Sequence, residues 1–205
     1  MTTTLPLGTF AIIGLTCALS FVAFRREWLM QRLWFSVPAV QQGQYERFVT
    51  HGLVHADAPH LLLNMVTLFF FGAVMEPFFA SHIGITGYLA FYGSAVAAAI
   101  FPSYIAHRHD PAYRSLGASG AVSAVLFAYV LVDPWSLLYV LVIPVPAIVF
   151  AVSYLLYGVV AARRAGSRIN HSAHVWGAVY GMTFSLIMAP GLGIHFVREM
   201  GRPLG

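Results

Sequence analysis

The chain has 205 residues, 59% of them hydrophobic and only 9% charged, and its mean hydropathy is +0.76; a water-soluble core cannot hide that much apolar surface. Its net charge of +4 comes from eleven arginines and no lysine, spread between apolar runs rather than along one face, which excludes a nucleic-acid partner. The single cysteine, Cys17, excludes an intrachain disulfide.

These bounds predict an all-α integral membrane protein, one domain over residues 1–205, with six apolar segments at 8–24, 60–80, 83–105, 117–132, 135–162 and 171–190. A span takes about 20 apolar residues, and the short alternating strands of a membrane barrel do not occur. The first segment has no basic residue before it and is followed by Arg25-Arg26 where a signal peptidase site would lie, so a retained helix is expected. Residues 25–59 place Trp28, Leu29, Leu33, Trp34 and Phe35 among polar residues, a composition suited in part to the headgroup region. Pro144 and Pro146 fall inside the fifth segment, where they read either as tolerated kinks or as a loosened helix that admits substrate sideways. Residues 191–205 are expected to form a short tail.

With six spans, the joining segments after the first, third and fifth share one face. That face collects Arg25, Arg26, Arg32, Arg47, Arg108, Arg114, Arg163, Arg164 and Arg168, nine of the eleven arginines. Positive charge favours the cytoplasmic side.

Polar side chains within spans are costly and are the first places to look for chemistry. His60, Asn64, Ser119 and His174 all lie near the arginine-rich face. His60 and Asn64, four residues apart, project from one side of a helix. Serine is a weak nucleophile at neutral pH until a base takes its proton, and His174 is the available base. The start of a helix at Ser119 leaves backbone N–H groups free for a developing oxyanion, and His60 and Asn64 can add side-chain donors. Asp57, Asp110 and Asp133 read as loop residues and Glu76 lies toward the other end of its span, so a Ser–His pair is favoured over a triad. Small residues recur every four positions at Gly120, Ala124 and Ala128 in the fourth segment and at Gly177, Gly181 and Ser185 in the sixth. Two such stripes let helices approach closely and bring Ser119 to His174.

Three stretches, "HGLVHADAPHLLLNM" with His60 and Asn64, "GASG" with Gly117 and Ser119, and "HSAHVWGAVYG" with His174, resemble the rhomboid intramembrane serine proteases. The resemblance runs from Gly43 to Gly181. It implies a six-transmembrane-helix rhomboid-like bundle that hydrolyses peptide bonds in the transmembrane segments of other proteins in the lipid bilayer. By the same resemblance Ser119 is the nucleophile, His174 the base, and His60, Asn64 and the Ser119 amide the oxyanion hole. It also implies a multi-pass protein of a bacterial cytoplasmic membrane with its site on the extracytoplasmic side, against the arginine distribution; the resemblance takes precedence. Two positions depart from the family pattern. Ser123 stands where many members carry an aromatic packed on the catalytic histidine, and Glu46-Arg47 replaces a tryptophan–arginine pair.

His51 and His55 have a spacing that resembles metal ligands, but no HExxH accompanies them, so hydrogen bonding that pins the first loop is expected, with no metal and no cofactor. Two other functions compete: an inactive relative that binds transmembrane helices, and a transporter that relays protons through its histidines.

Overall fold

The computed structural model describes residues 5–140, 142–162 and 169–202, and it is mostly helical. Arg163, Arg164 and Arg168, counted above on the arginine-rich face, lie outside the described residues. Helix α1 (Leu7–Ala23) leads into a folded loop made of α2 (Glu27–Leu33), α3 (Val37–Gln41) and α4 (Arg47–Thr50). Arg47 organises this loop from within, its guanidinium donating to the carbonyls of Gln31 at 2.8 Å and Trp34 at 2.7 Å and to Gln44 Oε1 at 2.8 Å. Phe35 is wholly buried below it, while Trp28 is exposed.

The second and third expected spans form one element, α5 (Ala58–His107), which Asp57 caps by accepting the His60 N–H at 2.8 Å. The element is broken at Gly84, whose φ of 72° is open to glycine and strained for other residues. Phe79 and Phe91, on opposite sides of the break, stack with ring centroids 4.3 Å apart. Twelve residues along a straight helix would separate them by about 18 Å, so the two halves fold back on each other. Glu76 is buried near this turn and its carboxylate accepts the N–H groups of Gly8 at 2.9 Å and Thr9 at 2.6 Å, capping α1.

Helix α6 (Ser119–Val132) lies at the centre, buried from Gly120 through Ala128 and packed between α5 and α8 (His171–Met188). Its fourteen residues make it about 21 Å long. Protein surrounds it along most of its length. A short strand pairing completes the core. β1 (Phe35–Ser36) pairs antiparallel with β2 (Arg114–Ser115), tying the first loop to the segment before α6.

The fifth expected span is not helical throughout. Its first part is a hairpin, β3 (Leu137–Val140) with β4 (Ile143–Pro146), and α7 runs only over Ala147–Ala162. Val140 faces Ile143 and Leu138 faces Val145, while Pro144 and Pro146 lie opposite Tyr139 and Leu137. Inside a helix each proline would remove a hydrogen bond and clash with the preceding turn, costing about 3 kcal/mol. At alternate positions of an outer strand their missing N–H groups face away from β3. Pro144 and Pro146 therefore kink no helix, and the lateral opening argued from them does not arise. The chain is mostly helical, as expected, and these short strands are its departures from an all-α class. Within residues 191–205, α9 (Gly191–Met200) packs against α6 and α8, with Trp135 Nε1 donating to the Glu199 carbonyl at 2.9 Å.

Among the described residues, α5 alone is long and apolar enough by itself to cross a membrane; α8 and α9 qualify only together, bent by 115°. α1, α6 and α7 are apolar but shorter. Large apolar side chains such as Phe10, Leu15, Leu62 and Leu156 are nevertheless exposed on α1, α5 and α7, a surface matched to hydrocarbon rather than water.

Candidate active site

Small residues bring α6 and α8 together. A Cβ placed on Gly177 would fall on the carbonyl oxygen of Gly120, and one on Gly181 would fall on that of Ala124, so the two backbones touch where side chains usually intervene. At the loop end of this seam His174 Nε2 lies 2.7 Å from Ser119 Oγ. When Nε2 accepts the serine proton, Nδ1 carries the imidazole hydrogen. Both residues are half-buried.

The chain around Ser119 is held from several directions. Gly117 adopts φ 112°, and a Cβ there would lie 2.7 Å from His60 Cε1, so both the turn and the close approach require glycine. Its N–H donates to the His51 carbonyl at 2.9 Å. The Ala118 N–H donates to His55 Nε2 at 3.3 Å, which leaves the hydrogen on Nδ1 to reach Ser20 Oγ at 3.1 Å. His51 Nδ1 in turn donates to the Arg47 carbonyl at 3.0 Å. Burial pushes His51 down to about 4 and His55 down to about 3, so both rings are neutral pins between the first loop, α1 and the turn before α6. Among the described residues no three His, Cys, Asp or Glu side chains converge as a metal site.

In the first turn of α6 the earliest helical bond runs from the Val122 N–H to the Ala118 carbonyl, so the amides of Ser119, Gly120 and Ala121 precede any helical acceptor. His60 and Asn64 line the same cleft as Ser119 and His174. Asn64 donates one Nδ2 hydrogen to the His60 carbonyl at 2.9 Å, leaving a second hydrogen on the amide. Asn170 caps α8 by accepting the Ala173 N–H at 3.0 Å, and its Nδ2 donates to Tyr113 Oη at 2.9 Å. Asn170 thus ties the helix that carries His174 to the segment that carries Ser119.

Two cavities meet at the serine. One, of about 1170 Å³, opens toward the loops past Trp34, His107, Arg114 and Asn170. The other, of about 760 Å³, descends between α5 and α7 past Val66, Phe70, Leu126 and Phe150. Ser119, His174 and His60 line both. The first offers polar groups and the second an apolar wall, so the hydroxyl stands where water and a greasy segment can meet.

The site includes one residue that sequence patterns passed over. Ser123 leaves the α6 face beside His174 without an aromatic, and Tyr154 of α7 fills it: its ring stacks on His174 with centroids 6.1 Å apart and planes 15° apart, and its hydroxyl lies 2.9 Å from Ser123 Oγ. A small residue at position 123 was the only hint, and it did not say which helix would supply the ring.

A family model for the Rhomboid domain matches residues 42–191. The chain is also 29% identical over 167 residues to RHOMBOID-like protein 12, mitochondrial, of Arabidopsis thaliana; the match covers 76% of this chain and 50% of that relative, so the chain spans about half the relative's length.

Proposed function

The chain belongs to the rhomboid family and is a membrane protein; from that premise we propose that it is an intramembrane serine endopeptidase, a six-helix bundle in which Ser119 and His174 cleave transmembrane segments of other proteins. The observation that carries this reading is the 2.7 Å contact between His174 Nε2 and Ser119 Oγ at the junction of a polar and an apolar cavity. In the bundle α1, the two halves of α5, α6, α7 and α8 are the six spans.

As Ser119 Oγ adds to the scissile carbonyl, His174 Nε2 takes its proton. The carbonyl oxygen becomes an oxyanion, which the Ser119 amide, His60 and the free Asn64 hydrogen stabilise. Collapse of the tetrahedral species breaks the C–N bond, and His174 returns the proton to the departing amine. Water from the loop-side cavity then adds to the serine ester, giving its proton to His174, and release of the carboxylic acid restores the hydroxyl. Gly117, Gly120, Gly177 and Gly181 hold the two helices at the spacing this exchange needs, and His55 holds the Ala118 peptide. No metal or cofactor enters the scheme.

A helix in hydrocarbon keeps its carbonyls hydrogen-bonded, so the scissile segment has to unwind before it reaches Ser119. Glycine or proline in the substrate span lowers that cost, by about 1 and 3 kcal/mol of helix propensity. The narrow seam between α6 and α8 favours a small residue before the cut. By family resemblance the site faces away from the cytoplasm of a bacterial cell.

The test is purified protein in liposomes with a transmembrane substrate and a fluorophosphonate probe. Wild type is expected to cleave and to be labelled, and Ser119→Ala to do neither while keeping its fold. Cleavage by Ser119→Ala at the wild-type rate would overturn the assignment. Leucine in place of the substrate's helix-breaking residues is expected to slow cleavage.

A further inference from the structure

We propose that α9 is an interfacial helix that docks on anionic lipid headgroups of the leaflet opposite Ser119, with Ile194 and Val197 at the acyl boundary and Arg198 and Arg202 at the phosphates. This inference rests on the bundle proposed above only in taking α8 as a span. α8 and α9 are apolar enough to cross a membrane together, but the chain bends by 115° between them. With α8 along the membrane normal, α9 is turned a little past a right angle and lies near the membrane plane. Its level is set by α6, which begins at Ser119 and ends at Val132. His195 Nε2 donates to the Val132 carbonyl at 2.7 Å, and Trp135 Nε1, from the segment just beyond, donates to the Glu199 carbonyl at 2.9 Å. α9 therefore lies at the end of the bundle away from the serine, beside a tryptophan, a side chain favoured at membrane–water boundaries.

Three stripes run along α9, and each meets a different surrounding. Leu192 and Phe196, four residues apart, are buried and half-buried where the helix packs on α6 and α8. Ile194, Val197 and Met200, spaced by three, form an adjoining apolar stripe that the bundle leaves bare, with Ile194 61% and Val197 70% exposed. Gly191, His195 and Arg198 form the third, also exposed, and Arg202 follows it in the closing turn. The apolar arc is thus wider than the contact with protein. A helix of ten residues is marginal in water on its own, so a bare apolar stripe beside solvent would leave it poorly held.

Continuity and charge identify what covers the stripe. In the last turn of α8 Ile187 is exposed, so the hydrocarbon-matched surface runs to the bend and resumes at Ile194. Among the described residues Arg198 and Arg202 form no ion pair with a carboxylate. An apolar stripe flanked by unpaired arginines fits an anionic leaflet, acyl chains against the first and phosphates against the second. A second copy of the chain docked by the same face would bring like charges together.

Two measurements on the full chain test the proposal. In the first, a fluorophore is attached to Val197→Cys in a Cys17→Ala background and quenched by lipids carrying a nitroxide either near the headgroup or near the chain end. Quenching at position 197 is expected to be at least twofold stronger from the shallow nitroxide. Stronger quenching from the deep one would make α9 a re-entrant segment, and none from either would mean water or a protein partner; each result overturns the proposal. Val179→Cys, midway along α8, is expected to show the opposite order, and its failure to do so would count against α8 as a span rather than against α9. In the second, hydrogen exchange of the α9 amides is compared in nanodiscs of phosphatidylcholine with and without one-third phosphatidylglycerol, using the unmodified chain, so the answer stands even if Cys17→Ala does not fold. Exchange is expected to slow by about tenfold or more with the anionic lipid, and the paired change Arg198→Gln and Arg202→Gln to abolish the difference. Equal exchange in the two lipids, or a difference that survives both substitutions, would overturn the proposal. Neither measurement needs proteolysis, so a protein that cleaves nothing and escapes the fluorophosphonate probe still decides it.

Discussion

Helix α8 meets its two neighbours in opposite ways. Toward α6 it presents Gly177 and Gly181 to bare carbonyls, so backbone lies on backbone and nothing between them can rearrange. Toward α7 it presents His174 and His171 to Tyr154 and Tyr157, rings that can slide or turn. The first contact sets where Ser119 and His174 stand, and the second sets how the imidazole is turned. Position is thus built into the main chain and orientation is lent by removable side chains.

The rigid half of this contrast breaks most severely. Gly177→Val has no room short of separating α6 from α8, and the expected loss exceeds about 4 kcal/mol, a range that point substitutions rarely reach. Thermal unfolding in detergent reads it, and survival of the variant with wild-type stability would show that the seam is less tight than described.

A second test concerns the pin that holds the turn before Ser119. His55 titrates near 6.5 in the unfolded chain but only at about 3 when folded, chiefly because of burial and then through the neighbouring His60. The folded state therefore refuses a proton that the unfolded chain takes up. The stability tied to neutral His55 is complete above pH 6.5 and is lost progressively as pH falls toward 3. Unfolding followed from pH 8 to 4 is expected to show this decline, and His55→Gln is expected to flatten it while lowering stability at pH 7 by about 1–3 kcal/mol through the lost Ala118 N–H partner.

Smaller effects are expected on the adaptable side. Ser123→Ala removes one hydrogen bond to Tyr154 and leaves the stack on His174, so stability is expected to fall by only about 0.5–1.5 kcal/mol. A loss on the scale of Gly177→Val would mean that α7 is held as rigidly as α6, and the contrast would fail.

The rigid half was also the legible half. Ser119 at a helix start, His174 and the four-residue recurrence of Gly120, Ala124, Gly177 and Gly181 are periodic features, and a sequence displays period directly. The two spans joined in α5 were found as well, although their break lies at Gly84 rather than at residues 81–82. What escaped depends on contacts between residues far apart in the chain. Tyr154 lies 31 residues from the Ser123 hydroxyl it meets, and no pattern in α7 marks it out. Glu76 looked misplaced for catalysis and proves to cap α1, 68 residues away. The hairpin at Leu137–Pro146 is hidden for a different reason: its composition is as apolar as a span, and only Pro144 and Pro146, two positions apart, set it off from a helix interior.

Gly84 carries a consequence for chain direction. Without its reversal α5 would be a rod of about 75 Å, more than twice the thickness of a hydrocarbon core. With it, the end of α5 returns to the level of its beginning, where Ser103 Oγ donates to Asn170 Oδ1 at 3.1 Å and His60 abuts Gly117. Every element after residue 84 inherits its heading from that single dihedral. Had the chain continued straight, α6 would start at the opposite end of the bundle, and Ser119 would be separated from His60 and Asn64 although no residue of the site had changed. The left-handed sign of one φ angle thus acts as a parity bit for the fold: it decides which ends of the helices become neighbours, and so which side chains are able to meet.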